Sequence, residues 1–203
     1  MFQKVAGTAK ELNTSMYFGQ KENRIKIREL AMRTIGAEGI DKAKFTTSWL
    51  ESEDVQKEES AAAFLISLFS DKNKRPLMYL RLELSFGHRL QPRYVAYNLG
   101  MYVEAVARFL RRDIRKKKPL GSILYLLREE LPEELARDLK AFNTLFWANA
   151  KHLFDPNAPE DDHFYSIEDI VLGCLIAAKL ADGMILYSPT AKAYINNQID
   201  IGD

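Results

Sequence analysis

A single cysteine, Cys174, rules out an intrachain disulfide in this 203-residue chain and suits a reducing compartment. Prolines number only seven and glycines ten. They fall mostly between periodic segments, which is how a helical protein punctuates itself. No charge of one sign dominates: the net charge of +1 gives no global attraction to nucleic acid or to an acidic membrane, so either partner must be met by a local patch. The longest unbroken apolar run, 170–178, falls well short of the roughly 20 residues a membrane helix needs. The first dozen residues, MFQKVAGTAKEL, lack the apolar core of a signal peptide. The expectation is therefore a cytoplasmic protein without a membrane partner. There is no 20- to 50-residue repeat, no Gly-rich phosphate loop, no GxSxG elbow and no paired-cysteine motif, so solenoid, P-loop and serine-hydrolase readings are dropped. What remains is 47% apolar and 28% charged, a globular composition on a chain long enough to bury a core unaided.

Apolar spacing at three- and four-residue steps predicts an all-α, multi-helix bundle of five to seven helices, with room for a minor hairpin or strand near 77–86. Residues 1–20 read as an irregular arm, 21–187 as one bundle domain and 188–203 as a polar tail. The first helix spans 22–37, with Gly36 and Gly39 as stops, and a second spans about 54–69. Within 77–86, Leu80, Leu82, Leu84 and Phe86 alternate as in a strand, but no second strand is at hand to pair with, which favours helix. After Pro92, the positions Val95, Leu99, Tyr102, Val106, Phe109 and Leu110 mark a long core helix. A short helix follows at 122–130. Pro132 then opens another that should run to Phe154, carried by Leu135, Leu139, Phe142, Phe146, Ala150 and Leu153. Ser166 and Asp169 form a capping box ahead of IVLGCLIAAKLADGMIL, whose apolar width implies a nearly enclosed helix.

Taken together, KKKPLGSILYLLREELPEELARDLKAFNTLFWANAKH resembles the part of HEPN-type helical domains in which a two-helix unit leads into a helix ending in an Arg-to-His motif. The resemblance spans about 94–181. It implies a homodimer, and for many members of that family a metal-independent ribonuclease. The motif's His falls on His152, while its Arg should sit at Leu145, Phe146 or Trp147, none of which is a cation. Without a fixed cation, the charge that develops on phosphorus has no counter-charge. The resemblance thus implies a member whose ribonuclease motif is broken, and its apolar replacements are expected to bury against the helix at 170–186.

Asn149 and His152 lie three residues apart and on a helix would share a face able to hydrogen-bond a phosphate, a base edge or a partner chain. They could equally bond local carbonyls. Arg81 and His88 repeat the family's spacing with six residues between them, aligned if the segment is helical and opposed if it is a strand. The strongest electrostatic feature is the run Arg108, Arg111, Arg112, Arg115, Lys116, Lys117 and Lys118, seven cations against Asp113. Such clustering suits a phosphate backbone, with Tyr94, Tyr97 and Tyr102 as stacking faces, or else a solvated helix end paired with Glu129, Glu130, Glu133 and Glu134. The loop with His152, Asp155, Glu160, Asp161, Asp162 and His163 matches no compact metal motif, and no metal or cofactor is expected. Cys174, with no cation near it in sequence, reads as a buried small hydrophobe.

Three functions follow. The first is a non-catalytic HEPN-like domain that contacts nucleic acid or a protein partner. The second is a ribonuclease that uses His152 or His88 with a cation from Arg81 or the basic run. The third is a structural bundle whose surfaces only pack.

Overall fold

The computed structural model describes residues 20–52, 92–110, 129–148 and 165–189, with Ile123, Tyr125 and Leu127. Among these residues every regular element is helical and there is no strand, so the all-α bundle holds. The helices are α1 (Gln20–Thr34), α2 (Gly36–Leu50), α3 (Pro92–Leu110), α4 (Glu133–Phe142) and α5 (Ile167–Tyr187), with a π-helical turn, Asn143–Ala148, continuing α4. The segment 77–86 and the helix expected at 54–69 lie outside the described residues.

Helix α5 is the centre of the bundle and packs against α1, α2, α3 and α4. Its capping box forms as expected: the Asp169 N–H donates to Ser166 Oγ at 3.2 Å, and the Ser166 N–H donates to Asp169 Oδ2 at 2.8 Å. By length and composition α5 could cross a membrane, although its unbroken apolar run is short. In this fold its Ile170, Val171, Leu172, Cys174, Ile176, Ala177, Leu180, Ala181 and Met184 are buried in the protein core. The stripe expected on α3 is there too, with Val95, Leu99, Tyr102, Val106 and Leu110 buried. Ile123 and Leu127 are helical and buried four residues apart while Tyr125 faces out, in keeping with the short helix read at 122–130.

Two expectations are corrected. Gly36 does end α1, adopting φ +68°, a conformation that side chains with a Cβ rarely take. The chain then re-enters a helix at once, and Gly39 is an interior residue of α2 rather than a stop. Hydrophobic periodicity misses α2 because its buried positions are Ala43, Thr46 and Thr47, while Phe45 points to solvent. The Thr47 hydroxyl escapes the cost of burial by donating to the Ala43 carbonyl one turn back, at 2.8 Å. The second correction concerns the helix opened by Pro132. It is α-helical to Phe142 and then widens into the π-helical turn, and the end expected at Phe154 lies outside the described residues.

Charges fasten α1 to the rest of the bundle. Arg28 bonds both carboxylate oxygens of Glu168 at 3.1 and 2.9 Å. Arg24 lies 3.6 Å from Asp169, and Arg33 donates to Asp138 at 3.1 Å. Beneath these pairs, Ile27, Leu30 and Ala31 are fully buried.

Candidate functional site

The site implied by the Arg-to-His spacing lies at the end of α4, where the π-helical turn sets the direction of the chain. A π turn bonds i to i+5, leaves the regular ladder and commonly marks a functional position. Here its geometry is fixed by contacts on three sides. The Tyr165 hydroxyl, from just before α5, donates to the Leu145 carbonyl. The Phe146 ring stacks on Phe142 at 4.7 Å and on Tyr165 at 5.8 Å. It also fills the space over Gly173 of α5, where an added Cβ would lie 2.6 Å from Phe146 Cε1 and 2.9 Å from Leu99 Cδ1. Trp147 turns the other way, stacks on Tyr97 at 5.1 Å and presses on Gly100 of α3, where a Cβ would come within 2.9 Å of the Trp147 Cα.

All three positions from which a motif cation would act are therefore used for packing. Leu145 and Phe146 are buried, and Trp147 is half-buried against the core. Phe146 does pack against α5, as expected. Trp147 packs on Tyr97 and Gly100 of α3. Asn149 and His152, the other members of the candidate site, lie outside the described residues, as do Arg81 and His88.

Of the basic run, Arg108 is described, and Arg111, Arg112, Arg115, Lys116, Lys117 and Lys118 are not. Arg108 is partly buried at the end of α3 and bonds Glu104, one turn back on its own helix, through both Nε and Nη2. Its charge is thus met at least in part within α3. Tyr102, one of the proposed stacking faces, is buried, and Tyr97 is occupied by Trp147.

Two further groups behave as burial dictates. The Cys174 thiol is pushed well above its ordinary value by complete burial, which makes it inert as a nucleophile and agrees with its reading as a small hydrophobe. The Tyr165 phenol is raised chiefly by burial and further by the nearby Asp169 carboxylate, with the Asn23 side chain opposing both. Among the described residues, no three His, Cys, Asp or Glu side chains converge as a metal site would require.

Sequence reasoning missed a second feature. A cleft of about 600 Å³ opens between the C-terminal parts of α1 and α5 and the start of α4, with Leu135, Leu180 and Ile185 on its walls and Arg33, Asp138 and Lys179 among its polar groups. Nothing local in the sequence signals it, because Arg33 and Asp138 are 105 residues apart. The same holds for exposed Ile25 and Met32 on α1, Phe45 on α2, and Leu186 and Tyr187 at the end of α5. No family model, no curated protein and no solved structure matches the chain.

Proposed function

We propose that this chain is a non-catalytic, HEPN-like helical domain that acts by binding, as a cytoplasmic homodimer, and that its basic run contacts nucleic acid. One observation carries the non-catalytic part: at the positions from which the motif's cation would act, Leu145 and Phe146 are buried and Trp147 is half-buried against the core, held by contacts with Tyr165, Gly173 and Gly100. A side chain packed against neighbouring helices cannot present a charge to a phosphate, and replacing it by Arg would bury an unpaired cation. The binding part rests on the local excess of six cations at 108–118, which rewards phosphate neutralisation through counterion release.

A second reading, a domain that holds a protein partner, is favoured by a different observation. Arg108 is already paired with Glu104, and large apolar side chains such as Phe45, 73% exposed, stand on the outer faces of α1 and α2. Titrating a fluorescent single-stranded RNA with the purified protein at rising salt separates the two. The first reading expects binding whose logarithm falls linearly with log salt concentration, and a weaker, flatter dependence once Arg111, Arg112, Lys116 and Lys117 are replaced by Gln. Absence of binding at low salt, or a variant with unchanged affinity and slope, favours the second.

A further inference from the structure

We draw no further inference here: the strongest candidate, the cleft between the C-terminal parts of α1 and α5 and the start of α4, has its Arg33 already bonded to Asp138 and a mixed set of remaining charges that selects no ligand chemistry, and nothing in the structure shows what covers it.

Discussion

The Tyr165 hydroxyl donates to the Leu145 carbonyl from inside the core, where neither group has water as an alternative partner. Replacing Tyr165 by Phe removes this buried bond and the one to the Asn23 side chain while keeping the ring stack on Phe146. The expected cost is about 1 to 3 kcal/mol, read as a lower urea midpoint. Gly173 makes a stricter demand. Alanine there puts a Cβ into the Phe146 ring, and overpacking of this kind costs about 1 to 3 kcal/mol by the same measurement. An unchanged midpoint in either variant would show that the π-helical turn is not held as described. His152 offers the opposite expectation. With no cation at 145–147 to act beside it, His152→Ala should change stability by no more than about 1 to 2 kcal/mol, the value of a lost local hydrogen bond.

At the scale of elements, α1 shows which forces dominate. Its ion pairs to Glu168, Asp169 and Asp138 are conspicuous, but Arg24, Arg28 and Arg33 are all substantially exposed, and such pairs contribute about 0 to 1 kcal/mol each. Leu30 beneath them is fully buried. Truncating it to Ala should cost about 2 to 5 kcal/mol, whereas Arg24→Gln with Arg28→Gln should cost less and lose its effect at high salt. Urea melts at low and high salt check both. A double Gln variant more destabilised than Leu30→Ala would reverse that order. The same contrast explains what could be read in advance. Helices α3 and α5 were legible because their buried stripes are made of large apolar residues, and the Ser166 to Asp169 cap is a local signal. Helix α2 was not, since it buries Ala43, Thr46 and Thr47 and exposes Phe45. The π turn was not either, because NTLFWA continues an α-helical pattern and the contacts described at the turn come from residues distant in sequence, Tyr165, Gly100 and Gly173 among them. Of the candidate site, the absence of a cation at 145–147 was plain in the sequence. That those positions face the core, and that Trp147 packs on α3, required the packing of three helices.

At the scale of the whole molecule, two buried groups among the described residues, Cys174 and Tyr165, contribute a pH dependence in alkali. Unfolded Cys and Tyr lose their protons near pH 8.5 and 10, whereas folded Cys174 and Tyr165 keep theirs because burial raises both. Above those values the unfolded state binds fewer protons than the folded one, so stability falls as pH rises, by about 1.4 kcal/mol per pH unit for each group. The contribution is fully present below about pH 8 and lost in alkali. Urea midpoints between pH 7 and 10 should show this fall, and Cys174→Ala should flatten it between pH 9 and 10 by about one proton. Equal slopes in the two proteins would mean that Cys174 ionises in the folded state.

The claim that the domain binds without catalysing is tested most directly by incubating the purified full chain with single-stranded RNA, in magnesium and separately in chelator, and resolving the products on a gel. The packing of Leu145 and Phe146 into the core, and of Trp147 against it, predicts RNA left intact under both conditions. Reproducible cleavage that survives chelation and disappears in His152→Ala, with helical content unchanged by circular dichroism, would contradict it.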